Sequence, residues 1–515
     1  MTPRILPFGE RALLAEVDTL AQVLALHARL AASRPAGIVD LVPAARTVLV
    51  VVDPAVRSLS SVRAWIEGAA DAEAAPAAAA RSVVIPIVYD GDDLAAVADA
   101  LAMSVEAVAA RHAAADWTVA FTGFAPGFGY LVSPDWPYDV PRLAAPRARV
   151  PAGAVGLAGE FTGAYPRATP GGWQLIGTTP AALFDPAAAR PALLAPGDRV
   201  RFVPTPAVIT VPAPAPAVPK AGPIAAVGPA AASVIASALL STHQDQGRPG
   251  YLAEGIATSG AADRAALRTA NRLVGNREDA AGIEVTMGGL RLRAHRDLWI
   301  AVTGAWGDIR IDGRAVDGYE AHPWPADAEL HIDGFTRGVR GYLAVRGGIG
   351  GARVAGSRAA DLLAGLGPAP LAAGDVLPLA DQEVGGIPPL ALHPWSPPGE
   401  SGVTVELAPG PRADWFTPAA RDLLFETEWR VSAAADRVGI RLDGPHLERT
   451  RTEEVPSEGM LPGAVQVPPD GRPVVLGPDA PVTGGYPVIA VVTDTTRDLL
   501  AQARPGTPIR FRHAR

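Results

Sequence analysis

Val150-Pro-Ala-Gly-Ala-Val-Gly-Leu-Ala-Gly159, Thr162-Gly-Ala-Tyr165 and Thr169-Pro-Gly-Gly-Trp-Gln-Leu-Ile-Gly177 follow one another in the first half of the chain. Leu461-Pro-Gly-Ala-Val-Gln-Val-Pro468, Gly471-Arg-Pro-Val-Val-Leu-Gly477 and Val482-Thr-Gly-Gly-Tyr-Pro-Val-Ile-Ala490 follow one another near its end. Each series then reaches Pro-Gly, a three-residue gap and Arg-Phe, at Pro196–Phe202 and Pro505–Phe511. Order and spacing agree across several elements, which predicts duplication of one unit. The apolar runs are short and broken by Gly and Pro, the pattern of a barrel or sandwich. Two copies in one chain predict a pseudo-symmetric pair with a cleft between them, where ligand sites usually form.

Working outward, Leu13–Leu30 has apolar residues at helical spacing, Thr47–Val52 reads as a buried strand, and Ala55–Gly68 as a short helix. Residues 1–80 are thus expected to form a small α/β unit, ending in the Ala-rich stretch Ala69–Ala80. Residues 81–204 hold the first barrel: a strand at Val83–Tyr89, a helix over Asp92–Ala114, then broken strands to Val200–Val203. Residues 205–232, rich in Pro and Ala, read as a semi-stiff linker. Residues 233–384 are the first part of a second β-rich module. The Pro/Gly stretch Gly385–Gly402 divides it from residues 403–515, which complete the second barrel.

A length of 515 residues suggests two to four domains, and 49% apolar against 19% charged residues fits a large core. The net charge of -8 argues against a nucleic-acid partner. Cysteine is absent, which removes disulfides, thiolate nucleophiles and Cys-ligated metals. Met1–Glu10 is too polar for a signal peptide, and no apolar run approaches the ~20 residues that span a bilayer, so the expectation is a cytoplasmic protein without a membrane partner. The one lysine, Lys220, lies outside any G-x-x-x-x-G-K-[ST] or Met-Lys-Met setting, so neither a P-loop nor a biotin carrier is present. The nine histidines show no metal-ligand spacing, and no G-x-S-x-G elbow occurs; no metal site is expected.

Five clusters could carry chemistry. Phe121-Thr-Gly-Phe-Ala-Pro-Gly-Phe-Gly-Tyr-Leu131 interleaves aromatics with Gly and Pro, suiting either a tight hairpin or a planar amide held against backbone donors. His112, upstream at a helix end, is either a surface residue or a general base. Thr169-Pro-Gly-Gly-Trp173 and its counterpart Thr483-Gly-Gly-Tyr486 are either repeated turns or anion nests. Gln244-Asp-Gln-Gly-Arg-Pro-Gly-Tyr251, Asp263, Asn271, Asn276 and Glu284 mix helix-capping types with possible bases, and Arg248 offers a planar fork for an anion. Arg346, before Gly347-Gly348, is a further possible clamp. Asp436 and Arg437 could simply pair with each other.

The Phe121–Leu131 and Thr169–Gly177 strings resemble the family once called allophanate hydrolase subunit 1, or KipI. Gln244–Tyr251, Ala270-Asn-Arg-Leu-Val-Gly-Asn276, Tyr342-Leu-Ala-Val-Arg-Gly-Gly348 and Thr483-Gly-Gly-Tyr-Pro487 resemble subunit 2, or KipA. The resemblance spans nearly the whole chain in the expected order. It implies a mainly β fold with α/β additions, built on two cyclophilin-like β-barrels. It further implies one of three activities. The first is the B and C component of an ATP-dependent 5-oxoprolinase, opening 5-oxoproline to glutamate with a lactam-utilisation-type A subunit and with ATP, with magnesium, as cofactor. The second is carboxyl transfer to a urea-like acceptor from carboxybiotin on a partner. The third is non-catalytic regulation of a kinase. The first is expected, with a small-molecule amide as substrate and a homo-oligomer as a possible assembly. The site expected for it has His112 or Asp263 as base, Arg248 and Arg346 as anion clamps, and Gly127, Gly171, Gly172 and Gly485 as backbone donors. Phe124, Tyr130 and Trp173 form its walls, with Pro126, Phe128, Gln244, Asp245, Thr483, Gly484 and Tyr486 in the surrounding loops. Thr178, Glu160 and Ala480-Pro-Val482 depart from the family's usual residues, Arg, Gln and a more polar triplet.

Overall fold

The computed structural model describes residues 2–71, 80–145, 147–188, 190–206, 228–380, 382–389, 398–399, 401–453 and 455–514. Lys220, most of the Pro/Ala linker, the end of the Ala-rich stretch and much of the second Pro/Gly stretch lie outside them.

Strands Arg4–Phe8, Ala12–Glu16, Thr47–Val52 and Ile38–Pro43 form an antiparallel sheet, with helices α1 (Leu20–Ala32) and α2 (Leu59–Asp71) covering one face. The helix expected from Leu13 begins only at Leu20. Ala12, Leu13, Leu14 and Ala15 are all buried, because the sheet is covered on both faces, so this strand lacks the alternation that marks a half-exposed one. Thr19 and Gln22 form a capping box that sets the true helix start. The second face packs Phe8, Leu14 and Val51 against Leu476, Val488 and Val491 of the second barrel.

The first barrel is a seven-stranded sheet running from Gln174–Thr178 at one edge to Ser82–Ile87 at the other, and a Val88–Thr178 bridge draws the edges together. The helix expected over Asp92–Ala114 is two, α3 (Leu94–Ala100) and α4 (Val105–Ala114). Ala102 at φ +52° turns the chain, and the Ser104 hydroxyl caps the second helix.

Next in the chain comes a sandwich of a six-stranded and a five-stranded sheet around an aliphatic core, with α5 (Arg264–Leu273) packed on the five-stranded sheet. Its first strand is Ala230–Ala236, so chain expected to be linker up to residue 232 is already sheet. The second barrel follows as a closed ring of seven strands between Val403–Pro409 and Pro508–His513, with helices α6 (Pro418–Glu426) and α7 (Asp494–Leu500). No helix among the described residues is long and apolar enough to cross a membrane.

The duplication is visible in detail. In each barrel the first and last strands pair in parallel, Ser82–Ile87 with Arg199–Pro204 and Val403–Leu407 with Ile509–His513. In each, a buried Trp donates its indole N–H to the carbonyl five residues upstream: Trp117 to His112 and Trp429 to Leu424, both at 3.0 Å. Gly91 and Gly410 occupy the same place, since a Cβ at either would strike the backbone of Leu175–Gly177 or of its counterpart Val488–Ala490. Two residues on, Asp93 and Arg412 donate their backbone N–H groups to Leu175 and Val488, each at 3.0 Å. Asp93 binds Arg147 at 2.6 Å, whereas Arg412 binds Glu458, which occupies the position of Arg147. The paired positions are kept and the charges exchanged.

Candidate functional site

The two barrels and the sandwich enclose a cavity of about 200 Å³. It is lined by Phe124–Pro126 and Arg167–Pro170 of the first barrel, Asp361, Leu363 and Ala364 of the sandwich, and Asp479–Val482 of the second barrel. Arg167 and Ala168 precede Thr169 as Pro481 and Val482 precede its repeat counterpart Thr483, so the cavity sits where the two copies face each other. The Phe121–Leu131 string makes the clasp. Phe124, at φ +64°, and Gly127, at φ +82°, bend the hairpin tip. The Phe124 N–H then donates to the hydroxyl of Thr483 at 3.2 Å, joining the two barrels directly. Gly123 is required at this contact, because a Cβ there would overlap the Thr483 side chain.

The polar groups at the cavity are unusually under-partnered for buried atoms. Asp361 is buried; one carboxylate oxygen accepts from the Ala364 N–H at 2.8 Å, and the other has no hydrogen-bond partner. Burial, reinforced by the charge of Asp479 and opposed by Arg248 and Arg437, pushes this carboxyl up to about 7. Arg248, almost fully buried, donates to the Ala359 carbonyl while its Nε and one Nη have no partner. The shielded Nε of Arg167 and the Thr169 hydroxyl are also unpartnered. Native interiors satisfy nearly all such groups, so Asp361, Arg167 and Thr169, unpartnered at one small cavity with Arg248 behind Asp361, make this a candidate place for a polar ligand.

Beside the cavity, a buried ion cluster fixes Asp479. Arg437 donates to Asp479 at 2.8 and 2.9 Å, to Glu284 at 2.8 Å and to the Gly260 carbonyl at 2.7 Å. Burial would push Glu284 up, but Arg437 and Arg340 outweigh it and leave the carboxyl below its ordinary value. Ser259 donates to Asp479 at 2.6 Å and Tyr342 to Glu284 at 2.8 Å. An ion-paired carboxylate thus stands next to a carboxyl that burial pushes well above its ordinary value. Asp436 does not pair with Arg437; it accepts from the Val438 and Gly439 amides of its own turn.

Of the residues expected at the site, Phe124 and Pro126 line the cavity, Thr483 and Gly127 shape it, and Arg248 stands behind Asp361. The others are placed elsewhere. His112 is not a base: it is fully buried in the first barrel, its ring nitrogens bonded to Tyr89 at 2.8 Å and Thr162 at 2.9 Å, and burial pushes it down to about 3. Asp263 is the N-cap of α5, accepting from Ala266 and Gln502. Arg346 is no anion clamp, since it donates to the Val274 and Gly385 carbonyls at 2.7 Å. Phe128, Tyr130 and Trp173 form a packed aromatic core rather than walls. Gly171 and Gly484 are strand positions, and Gly172 and Gly485 accept hydrogen bonds through their carbonyls. Gln244 ends a buried strand of the sandwich and Asp245 follows it, accepting from Gly247, Ser357 and Arg358, and Tyr486 is exposed. Asp361, Arg167 and Asp479 are residues that sequence reasoning misses. Arg167 lies inside the repeat, between two of its matching strings, and Asp479 lies just before another, so closer comparison of the copies was the signal available.

A pair of duplicated barrels clasping a small, largely apolar cavity with a few buried polar groups is the architecture here, and the family models identify it as a carboxyltransferase-type domain. The carboxyltransferase domain, subdomain A and B, matches residues 254–513, and subdomain C and D matches residues 3–194. The chain belongs to this carboxyltransferase-domain family. It is 39% identical over 286 residues to the C subunit of 5-oxoprolinase from Escherichia coli K12, covering 54% of this chain and 89% of that protein. It is 53% identical over 127 residues to the B subunit of 5-oxoprolinase from Escherichia coli O157:H7, covering 24% of this chain and 58% of that protein. Similarity to urea amidolyase of Saccharomyces cerevisiae is 31% over 286 residues, 52% of this chain but 16% of that protein. The crystal structure of TTHA0988 superposes with a TM-score of 0.85 at 37% identity, over 98% of this chain and 99% of that one.

Proposed function

We propose that this chain is the fused B and C component of an ATP-dependent 5-oxoprolinase, opening a cyclic amide to glutamate at the inter-barrel cavity. The observation that carries the proposal is Asp361, a carboxyl poised near neutrality with a free oxygen facing a cavity sized for a small amide. The similarity to the separate B and C subunits, joined here in one chain, supports the same reading.

In this reading Arg167 pairs with the substrate carboxylate and Phe124 with Pro126 packs on the ring. A carboxyl titrating near 7 is half-protonated at neutral pH, so Asp361 can give a proton to the ring nitrogen or take one from water. Burial, reinforced by the negative charge of Asp479, favours the protonated form of Asp361 until the proton is needed. ATP supplies the phosphoryl group that activates the amide oxygen. The test is 5-oxoproline-dependent ATP hydrolysis and glutamate release with the cognate A subunit. Activity lost in Asp361→Asn is expected; no turnover by the wild type sinks the proposal.

Carboxyl transfer to a urea-like acceptor is the second reading, favoured by the urea amidolyase similarity. It predicts urea-dependent consumption of carboxybiotin on a partner and no need for an A subunit.

A further inference from the structure

Arg248 is a shielded cation with no bonded counter-ion among the described residues. It is 1% exposed, and its guanidinium donates to the Ala359 carbonyl while Nε and one Nη have no hydrogen-bond partner. Arginine keeps its charge at any ordinary pH, so the group cannot relieve its burial by losing a proton. An unpaired charge is among the costliest things a protein interior can hold.

Three carboxylates act on Arg248 through space: Asp361, Asp245 and Asp479. Two of them are committed. Asp245 accepts from the Gly247 amide at 2.8 Å and from the Ser357 hydroxyl and the Arg358 amide at 2.7 Å. Asp479 accepts twice from Arg437 and once from Ser259. Asp361 differs, because one oxygen accepts from the Ala364 amide and the other is open. Gln244, which donates to the Ala360 carbonyl, also has an unpartnered amide oxygen, but a neutral acceptor cannot balance the charge. Of the other cations acting on Asp361, Arg437 is already bonded to Asp479 and Glu284, and Arg167 is only half-buried. Arg248 is the shielded cation left for it.

The backbones that carry the two groups are fixed. The Arg248 amide donates to the Thr258 carbonyl at 2.8 Å, and Gly247, at φ +86°, lies so close to the Thr258 and Ser259 carbonyls that a Cβ would overlap them. Asp361 and Leu366 exchange backbone hydrogen bonds at 2.9 and 3.0 Å across a tight turn. Arg248 and Asp361 can therefore meet only by side-chain rotation, for which the arginine has the longer stem. Their separation in the structure suits a protonated carboxyl, which has no charge to offer.

We propose that Arg248 is a positioning residue for Asp361: when the carboxyl ionises, the guanidinium swings onto its open oxygen and holds it as an ion pair, and when the carboxyl regains a proton the pair opens. The pair rests on the buried geometry, and its use in turnover rests on the 5-oxoprolinase reading. In that reaction the Asp361 O–H bond breaks as an N–H bond forms at the ring nitrogen. The electron pair stays on the Asp361 oxygen, and Arg248 closes on the new charge. Capture of that charge favours donation over return of the proton.

Two measurements on the full chain test the pair apart from turnover. Wild-type crystals should show a guanidinium nitrogen of Arg248 about 3 Å from an Asp361 oxygen at about pH 9, and the gap retained at about pH 5. In solution, the pKa of Asp361 is read from the pH at which the unfolding midpoints of a chain and its Asp361→Asn counterpart diverge. Removing the cation in R248M should raise that pKa by at least about one unit, tenfold in the ionisation constant, and R248K should recover part of the shift. A gap that persists in the high-pH crystals overturns the proposal, as does a smaller shift in R248M. A cost of R248M that is the same at every pH also overturns it, because that is how a merely structural arginine behaves. The contact formed as predicted, with no 5-oxoproline turnover by the wild type, leaves the pair standing and removes the 5-oxoprolinase reading.

Discussion

Replacing Asp361 with Asn separates what the carboxyl does for catalysis from what it does to stability. In the folded chain the group titrates near 7, against an ordinary value of 3.8. Between those values the native state holds a proton that the unfolded chain has released, so stability falls as pH rises from about 4 to about 7. At 1.36 kcal/mol per decade the whole displacement is worth about 4 kcal/mol, an upper figure because Asp361 and Asp479 titrate together. Asn has the same shape and never ionises. The variant should therefore lie close to the wild type below about pH 4, be about 1–2 kcal/mol more stable at pH 5, and lead by up to a few kcal/mol at pH 8. Unfolding curves at several pH values measure this, with each kcal/mol moving the midpoint by about 2–4 °C for a domain of 150–250 residues. Turnover should move the other way, falling by roughly 10²–10⁴-fold as the proton-transfer group is lost. A stability difference that stays constant from pH 5 to 8 would refute the reasoning, because it would mean Asp361 ionises as an ordinary carboxylate.

Three other substitutions probe the rest of the frame. His112→Leu installs the residue found at the equivalent position of the second barrel; activity should persist, with a loss of about 1–3 kcal/mol from the unpaired Tyr89 hydroxyl, read in denaturant unfolding. Since wild-type His112 is held neutral down to about pH 3, the same variant should also lose part of the wild type's fall in stability as pH drops below about 6.5. Arg437→Met leaves Glu284 and Asp479 as uncompensated buried charges and should cost about 3–5 kcal/mol, seen as a lower denaturation midpoint. Gly123→Ala drives a methyl into Thr483 and should depress activity, and an accompanying T483A substitution, by removing both Oγ1 and Cγ2, the atoms nearest that methyl, should partly restore it.

The architecture was legible because duplication writes itself into sequence: matching Pro-Gly, Gly-Gly and Arg-Phe marks fix the same strands twice. Thr483 was legible for the same reason, as the partner of a motif in the other copy. The strand at Ala12–Glu16 was not, because a strand covered on both faces loses the alternation that separates it from a helix. His112 looked like a surface residue from its place near a helix end, but that helix closes a barrel and points its last turn inward. Asp361 was invisible for a deeper reason. Its carboxyl is an ordinary one until folding brings Arg248, Arg437 and Asp479, from three distant stretches, around it and takes the water away. Composition and spacing carry periodicity and turns; they do not carry the dielectric.

The exchanged charges of the two barrels bear on how such a chain avoids misassembly. Duplicated halves can trade equivalent strands during folding, each copy offering the other a nearly native template. Here a trade would set Asp93 against Glu458 and Arg412 against Arg147, like facing like at two partly or fully shielded positions. Each half thus carries an address that only its own half can answer, and the polarity swap acts as a proofreading step written into the repeat.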